Sequence, residues 1–173
     1  MRKDNEKLLL IQATNKDSEA FGLLFDKYSN QIYRFIYFKV RTKEIAEDLS
    51  SQTFLKVWEY LSGGGSINQF KAFIYKTARN LVIDYYRSRE KEELPLIYCE
   101  DIEDEVKINP DKEIDKAALE KLLVSLKIEQ REIIVLRYIE ELSIKEISKI
   151  VDKSPGHIRV LIHRAFKELR KYT

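Results

Sequence analysis

The sequence predicts an all-α chain: two small helical domains, residues 1–90 and 117–173, joined by a flexible acidic linker over 91–116. Three observations predict it. Apolar residues recur at helical spacing through most of the chain, with few strand-like alternations. Only 3 prolines interrupt its 173 residues. Charge, nearly balanced overall at +2, is partitioned: residues 1–90 hold 15 basic and 11 acidic side chains, 117–173 hold 12 and 8, and 91–116 hold 4 and 10. That middle stretch also contains Pro95 and Pro110. Such a composition cannot bury enough apolar surface to offset the entropy of ordering it.

In the first domain, Ala20, Phe21, Leu24, Phe25 and Tyr28 make one stripe, and Ile32, Phe35 and Ile36 resume it after an expected break at Ser29-Asn30. Phe54, Val57, Trp58 and Leu61 make a second stripe at i, i+3, i+4 and i+7. A third helix is expected from about Asn68 to Glu90, turning Phe70, Phe73, Ile74, Ala78, Leu81 and Val82 inward. Between these last two lies SGGGSIN, residues 62–68, which must be a loop because three consecutive glycines oppose a helix.

In the second domain, Leu119, Leu122, Leu123 and Leu126 open one helix, and the apolar cluster Ile133 to Ile139 forms the next. Ser143 and Glu146 then have capping-box spacing, with Ile144, Ile147, Ile150 and Val151 turned inward. A very short turn at Asp152-Lys153-Ser154 follows. Ser154 can cap the last helix, and Pro155 fits its first turn. Along that helix Ile158, Leu161, Ile162, Ala165, Phe166 and Leu169 share a face, while His157, Arg159, His163, Arg164, Lys167 and Arg170 occupy the rest. Two helices across so short a turn have helix-turn-helix geometry, whose second helix can enter a DNA major groove. Any αα-hairpin gives paired helices; the excess of cations on the second strengthens the DNA reading.

No apolar run approaches the ~18 residues of a membrane span, and MRKDNEKLLLIQ is too short and charged for a signal peptide, so a cytoplasmic chain without membrane insertion is expected. Cys99 is the only cysteine, which excludes an internal disulfide and a cysteine-rich metal site. The 2 histidines, six positions apart in one helix, build neither a catalytic triad nor a histidine metal site. SGGGSIN lacks the lysine and the preceding strand of a phosphate-binding loop. No enzyme, no cofactor and no metal are expected.

Three stretches, AEDLSSQTFLKVWEYL, FKAFIYKTARNLVIDYYRSRE and EQREIIVLRYIEELSIKEISKIVDKSPGHIRVLIHRAFKELRK, resemble the second and fourth conserved regions of the extracytoplasmic-function (group 4) sigma factors of bacterial RNA polymerase, of the sigma-70 family. The resemblance covers nearly everything except the acidic linker. It implies an alternative sigma factor: the first domain would bind the core polymerase clamp and the promoter minus-ten element, and the second would meet the flap and read the minus-thirty-five element. Promoter DNA, core RNA polymerase and an anti-sigma factor are the implied partners, and the polymerase performs the chemistry. The competing reading is a stand-alone helix-turn-helix regulator with a helical sensing or dimerisation domain. It explains the second domain equally well and leaves the first unexplained.

On the stretch 46–61, pattern alone gives a solvated polar face; the resemblance makes Glu47, Asp48, Gln52, Thr53 and Lys56 the polymerase-binding set. On the third helix, cations interleaved with aromatic rings suit single-stranded DNA, since cations hold phosphates and rings stack on unpaired bases. Lys71, Lys76, Arg79, Asn80, Asp84, Tyr85 and Arg87 are the minus-ten candidates. Tyr75 and Tyr86 are possible stacking rings beside them, and Phe70 and Phe73 are assigned to the core. The resemblance places Asn80, together with the loop SGGGSIN before its helix, at a pocket for a flipped minus-ten base, with Phe73 where tryptophan is common. On the last helix the minus-thirty-five candidates are Ser154, Gly156, His157, Arg159, Val160, His163, Arg164 and Lys167. Arginine can make bidentate contacts to guanine, and Val160 can offer only apolar contact to a thymine methyl. This chain has His157, Arg159, Val160 and Leu161 where similar sequences carry Thr, Lys, Ser and Arg, and Leu161 is expected to pack.

Overall fold

The computed structural model describes residues 3–91, 123 and 125–171. The chain separates into two units, Met1–Leu96 and Ile97–Thr173. Beyond Lys91, the expected linker lies outside the described residues, as do Leu119 and Leu122. Among the described residues the regular structure is helical, with no strand.

The first unit contains α1 (Lys3–Thr14), α2 (Ser18–Val40), α3 (Lys43–Ser62) and α4 (Phe70–Lys91). Asp17 starts α2, its carboxylate accepting from the N–H groups of Glu19 and Ala20 at 3.0 and 3.1 Å. The expected break at Ser29-Asn30 does not occur, and α2 runs straight through it. Both side chains lie outside the core, whereas Tyr28 and Ile32 on either side of them are buried. A propensity cost of a few tenths of a kcal/mol per residue yields to about 1.5–3 kcal/mol for each large side chain buried. Arg41 ends the helix in the left-handed region at φ 54°, its N–H donating to the Tyr37 carbonyl.

Leu24, Ile32, Phe35 and Ile36 of α2 meet Leu61 of α3 and Phe70, Ile74 and Tyr75 of α4 in one core. Ring pairs set its geometry: Tyr28 against Phe70 and Phe35 against Tyr75, both at 5.2 Å and edge-on. Tyr75 is therefore not a ring available for stacking on bases, as the sequence had suggested. It is fully buried, with its hydroxyl 3.4 Å from the Gln31 side-chain oxygen. Phe25, expected to point inward, is exposed at the rim, its ring 4.6 Å from that of Phe54. α1 is held to α2 through Glu6, which pairs with Lys27 and accepts from the Tyr28 hydroxyl at 2.7 Å.

The second unit contains α5 (Ile128–Ile134), a single π turn (Val135–Ile139), α6 (Ile144–Val151) and α7 (Pro155–Leu169). In the π turn the Glu140 N–H reaches the Val135 carbonyl at 3.0 Å, and Tyr138 is left on the surface. The Arg137 guanidinium then donates to the Leu142 carbonyl at 2.8 Å, closing the entry to α6. Ser143 and Glu146 form the expected capping box: each accepts from the other's backbone N–H, at 3.2 and 2.8 Å. Ile147, Ile150 and Val151 of α6 pack with Leu136, Leu142 and, from α7, Ile158, Leu161 and Ala165.

Candidate nucleic-acid and polymerase interface

The turn between α6 and α7 is three residues long. Asp152 takes φ 54°, the left-handed conformation that ends α6, and its N–H donates to the Ser148 carbonyl. Lys153 follows, and Ser154 caps α7 by accepting from the His157 N–H at 3.2 Å. Pro155 occupies the first turn, where its missing N–H costs nothing. These local choices fix how α7 leaves the domain.

Burial then divides α7 lengthwise. Ile158, Leu161 and Ala165 are buried; Gly156, His157, Arg159, Val160, His163, Arg164 and Lys167 are exposed, as is the cap Ser154. All eight minus-thirty-five candidates are thus at the surface, and Leu161 packs. Phe166, expected on the inner face, is 39% exposed and meets Tyr138 of the π turn edge-on at 5.4 Å. Position 166 falls at the edge of the apolar stripe, and the π turn places a ring beside it. Beside α7 a shallow groove is lined by Arg137, Tyr138, Arg159, His163, Phe166 and Arg170. The face can therefore present a row of cations and histidines to phosphates, with Val160 as its apolar point.

On α3, Glu47, Asp48, Gln52 and Lys56 are exposed. The Gln52 amide donates to the Asp48 carboxylate at 2.9 Å, which holds the two side chains together one turn apart. Thr53 departs from the expectation. It is fully buried, and its hydroxyl donates to the Leu49 carbonyl at 2.7 Å. Position 53 lies on the inner side of the helix with Leu49 and Val57, so its role is in packing rather than contact. Leu55, passed over in the sequence, is 55% exposed on the same outer side as Asp48 and Glu59.

On α4, Asn80, Asp84 and Arg87 are exposed, whereas Lys71, Lys76 and Arg79 are half-buried and each has a partner within the protein. Tyr85 is half-buried: the Arg89 guanidinium donates to its hydroxyl at 2.6 Å and lies over its ring. Tyr86 spends its hydroxyl on the Lys39 carbonyl at 2.7 Å and packs edge-on against Tyr85. Phe70 is buried as expected, and Phe73 only half. One aromatic escaped the sequence reading. Tyr60, at the end of α3, is 45% exposed and lies 4.9 Å from the Phe73 ring, beside the glycine loop. Its position two residues ahead of SGGGSIN was the available signal.

Among the described residues, no group of three or more His, Cys, Asp or Glu could hold a metal ion, and no helix is long and apolar enough to cross a membrane.

Residues 24–92 match the family described as Sigma-70 region 2, and residues 116–169 the family described as Sigma-70, region 4. The chain is 33% identical over 172 residues to the ECF RNA polymerase sigma factor BldN of Streptomyces coelicolor, covering 94% of this chain and 64% of that one, so it spans less than two thirds of that relative. It is 28% identical over 177 residues to the ECF RNA polymerase sigma factor SigW of Bacillus subtilis, covering 95% of each. The sigma factor RpoE of Bartonella quintana, solved in complex with the anti-sigma factor NepR, shares the fold at a TM-score of 0.73 and 21% identity, over 87% of this chain and 94% of that one.

Proposed function

This chain belongs to the extracytoplasmic-function class of the sigma-70 family, and we propose that it is an alternative sigma factor whose two units divide promoter recognition between them. The first binds core RNA polymerase and the minus-ten element; the second meets the polymerase flap and reads the minus-thirty-five element. It acts in the cytoplasm and performs no covalent chemistry. The polymerase polymerises, and this chain chooses the promoter and helps to open it.

The observation that carries this reading is the coexistence of two surfaces. The helix-turn-helix of α6 and α7 presents a cationic outer face, which a stand-alone regulator would equally need. The exposed α3 face of Glu47, Asp48, Gln52 and Lys56 would be only a solvated surface in a regulator, whereas in a polymerase subunit it would serve as the docking face. An opposite-sign partner would be steered to the exposed Asp48 and held by the Asp48–Gln52 pair. An anti-sigma factor accompanies the Bartonella relative; a comparable partner for this chain would act by covering the same faces.

Run-off transcription with core RNA polymerase on genomic DNA, with mapping of start sites, tests the reading. A shared promoter motif dependent on this chain is expected; duplex DNA bound without polymerase and no start sites would favour the regulator. Asp48→Lys combined with Gln52→Ala is expected to reduce capture of core enzyme while circular dichroism stays unchanged, because both side chains are at the surface. Undiminished capture would move the docking face elsewhere.

A further inference from the structure

Gly156 and Val160 are two residues on the outer side of α7 that the fold itself does not call for. Both are poor helix formers, glycine for its backbone freedom and valine for its branched Cβ. A Cβ on Gly156 would meet nothing nearer than the Ser154 hydroxyl at 4.0 Å, so packing does not require the glycine. Val160 is 47% exposed and is not held in the core. With His163 and Lys167 they follow at i, i+4, i+7 and i+11, down the side opposite the buried Ile158, Leu161 and Ala165. An apolar window thus interrupts a row otherwise made of histidines and cations.

Its chemistry decides what such a window can read. Valine has neither donor nor acceptor, so against a base edge it leaves purine N7 and O6, or the cytosine amino group, without a partner. A methyl group is the major-groove feature it favours, and only a pyrimidine C5 carries one there. The valine side chain is also short, so its methyls touch a base only where the helix backbone comes close. Gly156 lies one turn, about 6 Å, nearer the end of the helix that enters a groove, and it carries no side chain to hold the helix off. The two residues therefore act as one unit.

We infer that Val160, admitted to close range by Gly156, reads the 5-methyl group of one pyrimidine in the minus-thirty-five element, so that this chain accepts thymine or 5-methylcytosine there and discriminates against uracil and unmethylated cytosine. It rests on the reading that the outer face of α7 meets that element. Cytosine methylation at that position therefore strengthens the promoter.

The test titrates holoenzyme made with the full chain against duplexes carrying a promoter recovered by start-site mapping. Each thymine of the minus-thirty-five element is replaced in turn by uracil, and each base pair in turn, in both orientations, by cytosine–guanine or 5-methylcytosine–guanine. One position is expected to lose roughly 3- to 10-fold in affinity with uracil, and there 5-methylcytosine is expected to bind more tightly than cytosine by a similar factor. Val160→Thr, which keeps one methyl, should retain part of both differences, and Val160→Ser should erase them. Gly156→Ala should erase them too, with stability by circular dichroism unchanged or raised, because alanine is the better helix former. No position sensitive to the methyl group, or a methyl effect unaltered in Val160→Ser, would overturn the inference. A methyl effect that survives Gly156→Ala would overturn the close approach. Holoenzyme that binds a scrambled minus-thirty-five element as tightly as the promoter would overturn the reading of α7 itself, and that control tells the two failures apart.

Discussion

α4 and α7 are both basic helices aimed, in the reading above, at DNA, yet they are built in opposite ways. On α7 the buried residues Ile158, Leu161 and Ala165 lie on one side, and Arg159, Arg164 and Lys167 are exposed on the other. On α4 the cations Lys71, Lys76 and Arg79 are half-buried and already engaged within the protein, and Arg89 is committed to Tyr85. Helix α7 can neutralise phosphates without disturbing its own fold. Helix α4 has Arg87 exposed but would have to exchange internal contacts to use Lys71, Lys76 or Arg79, so in the proposed reading discrimination there falls to exposed residues, above all Asn80. Where fold and function sit on separate faces they can be altered separately; where they share side chains they cannot.

The largest expected effect tests the shared face. Tyr75→Ala removes a fully buried ring and is expected to destabilise the first unit by about 3–5 kcal/mol, read as a lowered urea midpoint by circular dichroism. Tyr85→Ala, at a half-buried ring, should cost far less stability. Similar losses for both would mean that α4 has no separable outer face.

Next comes strand opening. Asn80→Ala is expected to leave duplex minus-thirty-five binding intact and to impair open-complex formation, and a mismatched bubble should restore much of the activity because the unpairing cost of a few kcal/mol has already been met. Permanganate footprinting and abortive transcription on matched duplex and bubble templates check this. Equal loss on both would place Asn80 in folding or core binding.

On α7 the expected changes are smaller and separable. Arg159→Ala should weaken holoenzyme binding by about 1–3 kcal/mol and relax preference at one minus-thirty-five position, whereas Lys167→Ala should weaken all sequences alike and lower the salt slope by about 1. Promoter affinities across a salt series distinguish them. If neither variant changes anything, the outer face of α7 is only a solvated one.

The smallest effect concerns the cap. Ser154→Ala removes the acceptor of the His157 N–H and is expected to cost about 1 kcal/mol of stability in the second unit, with a matching small loss of minus-thirty-five affinity. A loss of binding much larger than the loss of stability would make the Ser154 hydroxyl a DNA contact as well as a cap.

The sequence alone determined the helical class, the charge partition, the capping box of Ser143 and Glu146, the cap at Ser154 and the exposed face of α7. These rest on interactions within a few residues, where periodicity and side-chain chemistry decide the outcome. The tertiary structure decided the rest. It carried α2 through Ser29-Asn30, buried Thr53 and Tyr75, turned Phe25 and Phe166 to the rim, and brought Tyr60 onto Phe73 across the glycine loop. Each of these depends on which of several apolar or aromatic residues faces a neighbouring helix. A helix with rings on more than one side does not announce that choice; burial against residues distant in sequence, at up to a few kcal/mol per side chain, makes it.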